Sequence, residues 1–155
     1  MNCSVAGALE IVGEWWTLLI LRDAFLGMRR FEEFQRDLGI TRHRLADRLA
    51  KLVKHGVFRR ERYLARPVRY EYRLTEKGID LYGVIVTVAD WGDKHMTGKK
   101  GPPVERVHRA CGHATRLRLA CDHCGEPVTA RDMTARPGPR YRNTQSVAPS
   151  APEAS

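Results

Sequence analysis

Two short amphipathic helix patterns separated only by Gly39-Ile40-Thr41 constrain the fold of this chain more than any other feature. Phe31, Phe34 and Leu38 fall at i, i+3 and i+7, one face of a first helix. Leu45, Leu49 and Leu52 fall at i, i+4 and i+7, one face of a second, with Ala46 and Val53 beside them. Gly39-Ile40 supplies a tight turn, Thr41 is the expected N-cap of the second helix, and Gly56 its C-terminal cap. A first helix joined this closely braces the second and leaves the second's far face free. That face holds Arg42, His43, Arg44, Asp47, Arg48, Lys51 and Lys54.

The flanking segments supply a core. Val5, Leu9 and Val12 make one apolar face of an N-terminal helix that Gly13 breaks. From Glu14 to Leu26 the pattern is apolar nearly all round, which predicts the buried centre of a domain. After Gly56, Val57–Leu64 and Val68–Leu74 read as strands around a tip at Ala65-Arg66-Pro67. Thr75-Glu76-Lys77-Gly78 opens a long helix to about Met96. Its apolar residues, among them Ile79, Leu81, Tyr82, Val84, Ile85, Val86, Val88 and Trp91, cover more than one face. The surplus calls for a second partner, most simply another copy of the chain.

Charge narrows the function. Lys and Arg exceed Asp and Glu to give a formal charge of +9 and a pI of about 9.8, an excess that points to polyanions, nucleic acid first. The order helix, helix, glycine turn, helix, basic hairpin is that of a winged helix-turn-helix: mainly α with a small β-hairpin wing. In that arrangement the second helix of the pair lies in the major groove with its N-terminal residues at base edges. Here those are Arg42, His43 and Arg44, with Arg48 a turn later, and arginine can donate two hydrogen bonds to guanine. The hairpin carries Arg59, Arg60, Arg62, Arg66 and Arg69, with the tip at Arg66-Pro67 placed to reach phosphates or the adjacent minor groove; Arg62, Arg66 and Arg69 are the expected DNA contacts. Arg29, Arg30 and Thr41 can hold the backbone. Double-stranded DNA is the expected partner. No phosphate-cradling glycine loop, nucleophile elbow or apolar carboxylate pair is present, so no enzyme is expected.

Residues 3–97 resemble the HxlR family of bacterial regulators, relatives of the MarR-type winged helices. The resemblance rests on Gly-Glu-Trp-Trp-Thr-Leu-Leu-Ile-Leu-Arg (13–22), Gly-Met-Arg-Arg-Phe-Glu-Glu-Phe (27–34), Gly-Ile-Thr (39–41), Leu-Ala-Asp-Arg-Leu (45–49), Gly56, Tyr-Arg-Leu-Thr-Glu-Lys-Gly (72–78) and Trp91-Gly92. Met28 and Gly83 stand where the family often has proline. The resemblance implies a homodimer, built from the first and last helices of this domain, acting on a palindromic operator, more often as a repressor. Similar proteins often carry a cysteine just before the first helix, and several sense oxidants through it. Cys3 holds that place here, followed by Ser4 where proline is common. A thiol there meets the positive end of a helix dipole, which favours the thiolate; an inert residue at the dimer seam is the alternative.

Three zones are expected: a compact domain over 1–97, a small Cys/His module over 98–134, and a disordered tail over 135–155. The tail is proline-bearing and almost free of apolar side chains. In the module, His108-x-x-Cys111-Gly112 and Cys121-x-x-Cys124-Gly125 have zinc-knuckle spacing. Thr115–Ala120 alternates like a strand between them. Four ligands, His108, Cys111, Cys121 and Cys124, would close a structural zinc site of zinc-ribbon type. His113 and His123 are alternative ligands, and a metal-free ribbon or a Cys121–Cys124 disulfide are alternative states. A zinc-ribbon interaction module without sequence-specific DNA binding is the competing function. The longest apolar stretch, Trp15 to Leu21, falls far short of the ~20 residues of a membrane span. No basic stretch and apolar core follow Met1-Asn2-Cys3, so no membrane partner is expected and the reducing cytoplasm is the expected location.

Overall fold

The computed structural model describes residues 3–138. Most of the tail expected over 135–155 therefore lies outside the described residues. The chain runs α1 (Ser4–Val12), α2 (Trp15–Phe25), α3 (Phe31–Leu38), α4 (Arg42–Lys54), β1 (Phe58–Leu64), β2 (Arg69–Leu74), α5 (Glu76–Ile79) and α6 (Tyr82–Met96), then a 3-10 turn at Gly98–Lys100. β1 and β2 pair antiparallel, from Phe58 opposite Leu74 to Arg62 opposite Tyr70, with an irregularity between Arg62 and Leu64 toward the tip. The architecture is mainly helical with a two-stranded wing. Among the described residues no single helix is long and apolar enough to cross a membrane.

The core is assembled where the helix pair meets the wing. Ile20 and Leu21 of α2, Phe34 of α3, Leu45, Leu49 and Leu52 of α4, and Val57 and Phe58 at the wing base are all buried. The Phe34 and Phe58 rings lie 6.4 Å apart and tilted, and Tyr72 of β2 meets Phe58 edge-on at 6.4 Å. Burying each such side chain is worth about 1.5–3 kcal/mol, so this cluster orients α4 against the wing. The α3–α4 turn closes through Gly39 at φ 61°, a left-handed conformation that glycine adopts without strain. Ile40 drops back into the core beside it.

Several expectations are corrected. α2 is not buried all round: Ile20 and Leu21 face inward, but Trp15 is 71 % exposed and stacks on Trp16. Thr17 and Asp23 are buried in its place. Thr41 occupies the N-cap position of α4, but its side chain makes no capping bond. The helix expected from Thr75 to Met96 is broken into α5 and α6. At the break the Leu81 N–H bonds the Gly78 carbonyl three residues back, a tighter turn, before Ile85 resumes the α ladder on Leu81. The strand expected over 115–120 is not formed: residues 98–138 carry only two isolated bridges, Val107 with Ala114 and Ala120 with Pro127.

The start of α5 is locked to the wing. The Thr75 hydroxyl donates to the Gly56 carbonyl at 2.6 Å and accepts from the Gly78 N–H. Gly78 is buried, and a Cβ there would strike the Val57 carbonyl oxygen and come within 2.9 Å of Leu74 Cδ2. Gly78→Ala is expected to cost about 1–3 kcal/mol by overpacking. Urea unfolding should show a lower midpoint at unchanged slope; an unchanged midpoint would mean the backbone there shifts freely.

Candidate nucleic-acid interface

The N-terminal turn of α4 presents Arg42, His43 and Arg44 to solvent, while Leu45 directly behind them is buried. The amphipathic spacing that buries Leu45, Leu49 and Leu52 is therefore what turns these three side chains outward. The Arg42 guanidinium lies over the Phe31 ring, 5.0 Å from its centre, which holds it against α3. His43 Nε2 sits 3.3 Å from Asp47 Oδ2, one turn on. Arg48 is half-buried behind them. With Thr41 making no cap bond, the free N–H groups at this end of α4 and the Thr41 hydroxyl are available to phosphate oxygens.

The wing is organised by its own pairs. Glu61 on β1 and Glu71 on β2 take Arg73 (Nε to Glu61 Oε2 3.0 Å, to Glu71 Oε1 2.6 Å), and Glu61 also takes Arg59. These arginines are committed to carboxylates, and Arg60 stacks on Tyr70 at 3.6 Å. Arg62, Arg66 and Arg69 near the tip are exposed, and none makes an ion pair among the described residues. Arg44 and Arg48 on α4 are likewise unpaired among the described residues. Surface cations left without carboxylates keep their full charge for an external polyanion.

Arg29 and Arg30 join the two halves. The Tyr72 N–H donates to the Arg29 carbonyl at 2.7 Å, Arg30 bridges Glu71 in antiparallel fashion, and its guanidinium lies 4.6 Å from the centre of the Tyr63 ring. The segment before α3 is thus tied to β2 by an isolated bridge beside the two-stranded wing. Sequence spacing did not reveal this pairing; the aromatic residues Tyr63, Tyr70 and Tyr72 interleaved with the wing arginines are the signal that carries it. Glu33 completes the start of α3 by accepting the Arg29 and Arg30 N–H groups, each at 2.9 Å. Those backbone bonds, first Arg29 then Arg30, hold its carboxyl below the usual carboxylate range. A depressed folded-state pKa stabilises the fold above the ordinary carboxylate value and loses that contribution as pH falls through the folded value. Glu33→Gln is therefore expected to be destabilised at pH 7, by up to about 1 kcal/mol at this partly exposed site. The gap to the parent should close in acid-titrated thermal melts, whereas a gap constant with pH would assign the effect to packing.

The other expected site residues fall into two places. Cys3 is exposed at the N-cap of α1. The two knuckle sequences form two turns of the same design. His108 N bonds His113 O and Gly112 N bonds His108 O; Cys121 N bonds Glu126 O and Gly125 N bonds Cys121 O, with both glycines at positive φ. His108 Nδ1 lies 3.3 Å from Cys111 Sγ. The N–H groups of Cys124 and His123 and the Cys124 side chain hold the Cys121 thiol below its ordinary pKa. Each turn thus presents a pair of donors of the right chemistry for zinc. Among the described residues, however, no three His, Cys, Asp or Glu side chains gather into a metal-holding group. Each turn closes on its own backbone hydrogen bonds.

Sequence reasoning missed the seam that attaches these turns to the main domain. Arg106 reaches the paired carboxylates Asp90 and Asp93 on α6, with Nη2 3.3 Å from Asp93 Oδ2. The inward i, i+3 spacing of the two aspartates was the available signal.

Comparison with known proteins agrees with this geometry. Residues 11–100 match the family described as HxlR-like helix-turn-helix. The chain is 51% identical over 139 residues to a Mycobacterium tuberculosis protein named as an uncharacterized HTH-type transcriptional regulator, Rv3095, covering 90% of this chain and 88% of the relative. Among solved structures it is similar to PA1607, a putative transcription factor, with TM-score 0.78 and 37% identity over 87% of this chain and 94% of that one. It is also similar to the redox regulator HypR in its reduced form, with TM-score 0.56 and 31% identity over 59% of this chain and 92% of that one. The PA1607 match extends beyond the winged domain; the HypR match is confined to a smaller share of the chain. On the family match, on these relatives and on the basic helix and wing they share a fold with, the chain belongs to the HxlR-like helix-turn-helix family, DNA-binding transcriptional regulators rather than enzymes.

Proposed function

We propose that the chain acts as a homodimeric repressor on a palindromic operator, with α4 in the major groove and the wing on the flanking backbone. The observation that carries this reading is the set of exposed arginines left without carboxylates on two neighbouring elements: Arg44 on α4, and Arg62, Arg66 and Arg69 on the wing. Arg42, His43 and Arg44 read base edges, with Arg48 one turn on. Thr41, Arg29 and Arg30 hold phosphates, and Arg62, Arg66 and Arg69 follow the minor groove or its rims. The second copy covers the outer face of α6. There Val84 (47 %), Val88 (55 %) and Trp91 (62 %) stand exposed at i, i+4 and i+7; Val5 and Leu9 of α1 are exposed too, and α1 and α6 both pack on α2. Cys3, exposed at the head of α1, is the residue through which an oxidant would act, and the similarity to a redox regulator supports that assignment.

The test is a fluorescence-anisotropy titration against the duplex upstream of the chain's own gene and a scrambled duplex, over a salt series, with and without diamide. Tight binding selective for the first duplex, weakened by diamide in the parent but not in Cys3→Ser, is the expected result. Equal binding to both duplexes that fades steeply with salt would sink the sequence-specific reading and leave a merely basic surface.

A further inference from the structure

A cleft of about 820 Å³ opens where the wing base, the end of α2, the start of α6 and the first knuckle turn meet. Its walls have two characters. Phe25, Tyr82 and Leu117 supply apolar surface, with the Phe25 and Tyr82 rings in an edge-on contact at 5.1 Å. Five arginines, Arg29, Arg59, Arg73, Arg106 and Arg109, and His108 also line it, and no acidic residue does. Some of that charge is already answered from outside the cleft. Glu61 and Glu71 take Arg59 and Arg73, and Asp90 and Asp93 take Arg106. Arg29 and Arg109 make no ion pair among the described residues. The Nε of Arg106 is buried and has no acceptor. A buried donor left unbonded costs about 1–3 kcal/mol, and an oxygen entering from the cleft is one group that could accept from it.

We propose that this cleft binds a small organic anion: a carboxylate, or an acid of similar charge, carried on a flat apolar body. The charged end faces Arg29, Arg109 and Arg106, and the body lies against Phe25, Tyr82 and Leu117. A ligand there touches the wing base and α6 together, the elements that the proposed regulator uses for DNA and for its second copy. Its role as an effector rests on that reading; the site itself does not. The apolar side of the cleft seats the ligand's body, and arginines without carboxylate partners give it a preference for anions over neutral isosteres.

Isothermal titration calorimetry of the full chain with 2-naphthoate tests the site, with neutral 2-naphthamide and acetate as controls. The expected result is saturable binding of one naphthoate per chain, at least about tenfold tighter than either control. Arg109→Gln and Leu117→Asp, both at exposed positions, should each weaken it by about tenfold or more while circular dichroism and melting stay at the parent's values. Naphthoate binding no better than naphthamide, or unchanged in both variants, overturns the site. Anisotropy on the same samples separates the two readings. A protein that takes naphthoate but ignores duplex DNA keeps the site and loses the regulator, and one that binds operator but not naphthoate does the reverse.

Discussion

Replacing Arg42 and Arg44 by glutamate is expected to remove operator binding while leaving the fold intact. Both side chains are exposed at the head of α4, so neither carries core packing. A bidentate arginine–guanine contact is worth about 1–3 kcal/mol; losing two in one half-site lowers affinity by about a hundredfold, and reversing the charge adds repulsion from the phosphates. Arg42 also lies over Phe31, a contact worth about 0.5–1 kcal/mol at an exposed site. Arg44→Glu alone therefore serves as the cleaner variant. Anisotropy on operator duplex reads the loss, and thermal melting checks the fold. Affinity within threefold of the parent would move the recognition surface off α4.

The second large effect concerns the outer face of α6. Val88→Asp with Trp91→Asp is expected to convert a dimer into monomers at micromolar concentration, by sedimentation velocity. The two side chains are 55 % and 62 % exposed in the single chain, so the monomer tolerates the change. Two carboxylates facing their symmetry mates across an isologous contact do not. A monomer engages one half-site at a time. Losing the linked second contact should weaken operator binding by about 10²–10⁴-fold, with no residue of the DNA face altered. A dimer that survives both aspartates would place the contact elsewhere.

The helix pair, its turn and the wing were legible in the sequence because each announces itself locally. Leu45, Leu49 and Leu52 repeat at helical spacing, Gly39 marks a left-handed turn, and the wing strands flank a proline tip. The outward face of α6 was legible as a surplus of apolar residues. What failed was ranking burial by hydrophobicity. Trp15 projects from α2 while Asp23 is fully buried, its Oδ1 on the Arg22 guanidinium and its pKa raised by the burial. Periodicity cannot show this, because the neighbours that bury Asp23 come from other parts of the chain. The break between α5 and α6 was hidden for a similar reason: no proline marks it, and it shows only in the tighter Leu81 N–H to Gly78 carbonyl bond. In the Cys/His module, spacing disclosed both turns, while the strand expected over 115–120 is replaced by isolated bridges at Ala114 and Ala120. The exposed arginines of α4 and the wing were legible as a basic set. That Arg59 and Arg73 are spent on Glu61 and Glu71 emerged only from the structure.

The strand-like pairing of Arg29 and Arg30 with Glu71 and Tyr72 also fixes a length. The same backbone that opens α3 is hydrogen-bonded to β2, so α3, and α4 joined to it by a short turn, are tethered to the middle of the wing. Within one subunit the protein is a gauge of set span rather than a pair of independent fingers. In the proposed dimer, each half-site then meets its groove edge and flanking phosphates near that one spacing, and variation between operators falls on the distance between half-sites, at the joint between the two copies.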